Sequence, residues 1–280
     1  MKASGFRCHV GVSVIMAMIA AALSVAAQSE KSAQSIFLEN LTWIEAEKAL
    51  KDYDVALIAL GARTKEHGPH LKLKTDYVMA EYLMRRVADE VPVVVLPTLQ
   101  YGYYPSFLEY PGSISIGADT FKNVVMDICK SVHGYGMNRF YVLNTGVSTV
   151  GPLAEAAKEL AAFGITLRSL NILEVDNKLP EGLLKQEGGT HADEGETSMM
   201  LTIAPETVDM SKAVKDFDPR PGRHGLTRDP KGAGNYSPTG AYGDPTLATK
   251  EKGRVIVEAT VREIVRQVRE LISLKTPSDR

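Results

Sequence analysis

Four short apolar runs separated by helical patterns constrain this chain more than any other feature. The runs are 54–60 (DVALIAL), 91–97 (VPVVVLP), 139–145 (RFYVLNT) and 166–173 (TLRSLNIL). They read as continuous rather than alternating, as strands buried on both faces do. Between them, apolar residues recur at helical spacing. Val78, Met79, Tyr82, Leu83 and Val87 share a face within 76–90, Phe121, Val124, Val125 and Ile128 within 119–133, and Leu153, Ala156, Ala157 and Leu160 within 150–163. A last helix over about 250–274 carries Val257, Val261, Ile264, Val265, Val268 and Ile272. This alternation predicts an α/β fold with a mostly parallel central sheet covered on both sides. Two regions break the rhythm: 98–118, rich in Tyr, Gly and Pro, and the long polar stretch 205–249. Loops of such length in an α/β domain are often binding or oligomer-contact segments.

The first residues stand apart. Lys2 and Arg7 precede the apolar run VGVSVIMAMIAAALSVAA, in which Val25 and Ala27 suit a cleavage site. This predicts a secretory signal peptide over 1–27, with an uncleaved anchor as the alternative, and export to the periplasm or beyond. Residues 28–280 then form one domain, free of the membrane after cleavage. Cys8 leaves with the leader. Cys129 remains alone, cannot form an internal disulfide, and reads as a small buried hydrophobe. A formal net charge of −2 gives no global field that would favour nucleic acid.

Polar clusters follow each predicted strand. Glu66, His67, His70 and Asp76 follow the first, Tyr101, Tyr103 and Tyr104 the second, and Asn144, Thr145, Ser148 and Thr149 the third. His191, Asp193, Glu194 and Glu196 come later, at a helix start. In open α/β sheets ligands bind beyond the carboxyl ends of the strands, so these clusters can converge on one edge. Glu66, His67 and Asp76 offer donors suited to Zn, Mn or Fe. A plain structural role is equally open to them: Asp76 as a helix-start carboxylate, His67 as a hydrogen-bonded loop histidine. Lys65, Lys72 and Lys74 either hold an anionic substrate or are solvated. Thr190 and Asp193 fit a helix cap, which leaves His191 and Glu196 unexplained. Ser148 or Thr149 reads first as a cap, and second as part of an anion-binding helix start.

EHGPHLKLKTD (66–76) resembles the creatininase signature Glu-x-His-Gly-Pro-His-Leu-Pro-x-x-Thr-Asp. HADEGETSMML (191–201) resembles that family's second signature. YG at 101–102, YPGSISI (110–116) and GAYGDPTLATKEKG (240–253) match further segments in order. The resemblance implies a three-layer α/β/α fold, a homo-oligomer such as a hexamer, and one or two Zn or Mn ions serving hydrolysis of non-peptide C–N bonds. Carried over by position, His67 and Asp76 match metal-binding residues, His191 a proton-transfer histidine, and Glu196 the Glu of Glu-Thr-Ser. Two departures stand out. Lys65 occupies the position of the family's first Glu, leaving Glu66 one residue late. Gly146 and Ser148 occupy positions that supply ligands in the third motif.

The expectation is therefore a secreted metal-dependent amidohydrolase acting on a small-molecule amide, with Zn or Mn, iron being a third option. Glu66, His67 and Asp76 hold the metal, His191 is the general acid/base, and Glu194 or Glu196 orients it or adds a ligand. Tyr103, Tyr104 and Ser148 contact substrate. An altered, mononuclear site could be completed by His191, Glu194, His70 or Asp193. The rival expectation is a non-catalytic relative that binds a small molecule or partner, and a peptide end is an alternative substrate.

Overall fold

The first apolar run becomes β2 (Ala56–Leu60), in which every residue is buried. It is the middle strand of a five-stranded sheet, in a computed structural model that describes residues 34–218 and 225–274. β2 is flanked by β3 (Val94–Leu99) and β4 (Arg139–Asn144). The edges are β1 (Ile36–Phe37), beside β3, and β5 (Thr166–Ser169), beside β4. Every pairing is parallel, and Ala56 lies opposite Val94 on one side and Phe140 on the other.

Successive strand residues point to opposite faces, and the core divides accordingly. Leu57, Ala59, Val95, Tyr141 and Leu143 pack under α2 (Thr75–Ala88), α6 (Glu194–Ile203) and α7 (Lys250–Ile272). Ala56, Ile58, Leu60, Val94, Phe140 and Val142 pack under α3 (Ala118–His133) and α4 (Val150–Ala161), with Leu50 of α1 (Trp43–Asp52) at the margin. Each buried Val, Leu, Ile or Phe among them contributes about 1.5–3 kcal/mol of burial free energy. The result is the three-layer α/β/α arrangement. Cys129 is buried on α3, where the apolar surroundings push its thiol up to about 12.

The fourth strand is shorter than its apolar run. It ends at Ser169, and α5 (Ile172–Asp176) follows, because the Asn171 side chain accepts from the Leu173 N–H and starts a helix. β1 and α1 were not predicted. The Thr42–Glu45 capping box that opens α1 is complete, and the helix buries Ala49 and Leu50 while Trp43 and Ile44 are exposed. The expected leader, 1–27, lies outside the described residues. No helix among the described residues is long and apolar enough to cross a membrane.

From β2 the chain passes to β3 on one side, then returns to β4 on the other. The carboxyl ends of β2 and β4 therefore mark a topological switch point, the usual ligand position in such sheets.

Candidate functional site

The loop after β2 is pinned by backbone bonds: Lys65 N–H to Leu73 O at 2.9 Å, Tyr77 N–H to Ala62 O at 3.2 Å, and Ile114 N–H to Thr64 O at 3.0 Å. Gly61 lets the loop fold back tightly, since a side chain there would strike the Asp76 carbonyl. Asp76 thus falls in the first turn of α2 but faces inward and is fully buried. Its Oδ1 lies 2.8 Å from His67 Nε2, and its Oδ2 lies 2.7 Å from the ammonium of Lys65. Lys65 is itself buried, with its charge over the rings of Phe107 (4.7 Å) and Tyr104 (5.5 Å).

These contacts fix the charges. Burial favours protonation of Asp76, but the Lys65 and His67 charges beside it win and hold its carboxyl well below the usual range. Burial disfavours the charged form of His67. The Asp76 charge, helped by Glu196, overcomes both that and Lys65, and raises its pKa. His67 Nδ1 donates to Lys65 O at 2.8 Å, which leaves Nε2 facing Asp76 and Glu196.

The second histidine arrives from the segment before α6. Ala192 adopts φ +46°, uncommon outside glycine, and this turn aims His191 back across the loop. His191 Nε2 donates to the Glu66 carboxylate at 3.1 Å and is 3.0 Å from the Glu66 carbonyl oxygen. Burial would raise the pKa of Glu66; the His191 hydrogen bond and charge and the Gly68 N–H outweigh it, so the carboxyl sits below its usual range. His191 Nδ1 is left 3.8 Å from Glu196 Oε2, and Glu196 Oε1 lies 3.6 Å from His67 Nε2. One ligand atom from each of His67, His191 and Glu196 lies within 4.8 Å of the others. The arrangement suits one divalent ion. His191 ties Nε2 to Glu66 and turns Nδ1 toward the shared space, as metal-bound histidines do, while His67 holds Lys65 O through Nδ1 and shares Nε2 between Asp76 and that space.

The loop after β4 brings no ligand. Asn144 Oδ1 accepts from Gly146 N–H at 3.0 Å and from the Thr149 hydroxyl at 2.7 Å, while Asn144 Nδ2 donates to Gly146 O at 2.7 Å. The turn satisfies itself, and the Thr149 side chain makes no helix cap. A cavity of about 410 Å³ opens over the cluster, lined by Lys65, Tyr104, Phe107, Ser148, His191 and Glu196 among others.

Of the residues expected from sequence, His67, Asp76, His191 and Glu196 meet here, with Tyr104 and Ser148 on the cavity wall. Glu66 is present as an orienter of His191 and stands outside the His67–His191–Glu196 group, because its carboxylate is spent on His191 and Gly68. Glu194 is not brought to the site: its carboxylate is buried under Lys252 and accepts from the Lys185 and Gln186 N–H groups. Tyr103 packs with the opposite core layer. Asp193 caps α6 by accepting from Glu196 N–H at 2.9 Å. His70 bonds Thr197 Oγ1 at 2.8 Å, and burial lowers its pKa to about 4. The residue that sequence reasoning undervalued is Lys65, grouped there with Lys72 and Lys74. Its position two before His67 was the signal.

A model of the creatininase family, described as creatinine amidohydrolase, matches residues 39–268. The creatinine amidohydrolase of Pseudomonas putida is 28% identical over 261 residues, covering 85% of this chain and 97% of that one. A mycofactocin precursor peptide peptidase of Mycobacterium tuberculosis is 30% identical over 76% of this chain and 83% of its own length. A 3-dehydro-scyllo-inosose hydrolase of Thermotoga maritima is 27% identical over 85% and 84%. Among solved structures, a creatinine amidohydrolase superposes with TM-score 0.71 at 26% identity, covering 87% of this chain and all of that one. A mutant creatininase described as of Zn-Zn type gives TM-score 0.70 at 27% identity, covering 86% of this chain and all of that one.

Proposed function

The chain belongs to the creatininase family, and from that premise we propose that it is a hydrolase of a C–N bond in a small polar amide, working with one divalent ion. The observation that carries the reading is the His67–His191–Glu196 group at the switch point of the sheet. Relatives with solved structures include forms described as Zn-Zn and Mn creatininases, which supports Zn or Mn as the ion. A cavity of about 410 Å³ is in the range that holds a small molecule.

A divalent ion held by His67, His191 and Glu196 would supply Lewis acidity and a water of lowered pKa. The chain does the rest. Lys65 O and Glu66 fix the two imidazole tautomers. Glu196 keeps Oε2 on the Ala192 N–H and would offer Oε1, 3.6 Å from His67 Nε2, to the ion. The buried Lys65 ammonium puts a fixed positive charge on the cavity wall, suited to charge developing on a carbonyl oxygen. In this reading His191, expected as the acid/base, would serve as a ligand.

The names of the relatives span creatinine, a precursor peptide and an inosose, so substrate choice rests with the lining residues. Export by the 1–27 leader and homo-oligomer formation belong to the same proposal. The test is elemental analysis of purified protein, followed by a screen of cyclic and linear amides, against His67→Ala. Bound Zn or Mn with turnover, both lost in the variant, supports the reading; metal-free protein without turnover sinks it. A second reading, a non-catalytic binder, is favoured by the self-satisfied loop around Gly146. Ligand binding without turnover by the metal-loaded protein would select it.

A further inference from the structure

We propose that the ammonium of Lys65 stands in for a second divalent ion, so that the centre pairs one fixed organic cation with a single exchangeable metal ion. This deepens the single-ion reading above and rests on it.

Asp76 carries the argument. Its carboxylate is fully buried, with Oδ1 2.8 Å from His67 Nε2 and Oδ2 2.7 Å from Lys65 Nζ. It therefore joins the metal-capable group on one side to a positive charge on the other. That charge cannot ligate a metal: an ammonium has three donors and no lone pair. It also repels one, because a divalent ion on the same buried carboxylate oxygen would sit within a few ångström of it, in surroundings that screen poorly.

The surroundings are built for an ammonium. Nζ faces the rings of Phe107 and Tyr104, whose π faces favour an organic cation. The neighbouring loop is closed as well. A Cβ at Gly146 would come within 3.1 Å of Tyr104 Cε1 and 3.2 Å of Thr149 Oγ1, so the Tyr104 ring fills the space into which a side chain at 146 would rise. The creatininase described as Zn-Zn names two zinc ions; here Lys65 and Gly146 stand at positions where the sequence resemblance implies metal ligands, and one of them brings a positive charge.

The experiment is isothermal titration of metal-free protein with Zn²⁺ and with Mn²⁺, on wild type, Lys65→Met and Lys65→Arg. Wild type binds no more than one ion per chain. Lys65→Met binds at least tenfold more tightly, because Asp76 is released and the repulsion removed. Lys65→Arg, which keeps the charge, stays within threefold of wild type. Two ions per wild-type chain overturn the proposal, and this measurement stands even if Lys65→Met fails to fold. Equal affinity of wild type and Lys65→Met overturns it as well. A wild type that binds no ion, beside a Lys65→Met that binds one, upholds exclusion by the ammonium and overturns the single-ion reading instead.

Discussion

Lys65 Nζ lies 2.7 Å from Asp76 Oδ2, with neither side chain more than 5% exposed. Breaking a buried ion pair by removing one partner leaves an uncompensated charge, which costs more than the pair contributes. Asp76→Asn is therefore expected to destabilise the fold by about 3–5 kcal/mol. Lys65→Met with Asp76→Asn should recover most of that loss. Urea titrations of the two single variants and the double variant measure the coupling; additive losses would mean that the contact is not an energetic pair.

Stability of the metal-free protein should peak near pH 6.5. His70 is held neutral, with its pKa lowered from 6.5 to about 4. Between those values the unfolded chain binds more protons, so stability falls as pH drops, by about 3 kcal/mol in all. His67 shifts the other way. Its raised pKa gives stability that is complete below 6.5 and is lost as pH climbs through the folded value. Asp76, with its lowered pKa, adds a further loss as pH falls below its ordinary 3.8. Chemical denaturation across pH 4–9 checks the curve. His70→Gln should flatten the acid limb, and Zn²⁺ should remove the alkaline one, since a liganding His67 is neutral.

Glu194→Gln should cost stability and spare the site. Its carboxylate accepts two backbone N–H groups and pairs with Lys252, so the change weakens charge-assisted bonds and is expected to cost about 2 kcal/mol. Metal affinity within threefold of wild type is the expected result by titration. A hundredfold loss of affinity in a folded variant would return Glu194 to the site.

Gly240→Ala should damage His191 from behind. Gly240 has φ +87°, and a methyl group there would strike the Glu66 carboxylate. Glu66 must move, and His191 then loses its carboxylate partner and keeps only the Glu66 carbonyl oxygen, 3.0 Å away. A fall in metal affinity of 10–100-fold is expected, as for other outer partners of metal-bound histidines. Unchanged affinity would mean that the Glu66 bond does not orient the ring.

The sheet was legible because its strands are buried on both faces, so β2, β3 and β4 show as apolar runs whatever their order. α1 was not, since it is short and buries only Ala49 and Leu50, with Trp43 and Ile44 exposed. In the site, His67, Asp76, His191 and Glu196 were readable from residue type and spacing. Glu194 and Glu196 looked alike in sequence and differ in structure: the N-cap at Asp193 turns one toward Lys252 and the other toward His67. Lys65 could be seen as a missing carboxylate and as a cation for an anionic substrate or for solvent, and not as the partner of Asp76. That its charge returns to Asp76 depends on the fold of the whole 61–76 loop.

The most direct test of the single-ion centre is anomalous scattering from a crystal grown with zinc. The account predicts one peak per chain, within bonding distance of His67 Nε2, His191 Nδ1 and Glu196, with Lys65 still on Asp76. Two peaks with Lys65 swung away from Asp76, or no peak at this cluster, would contradict it.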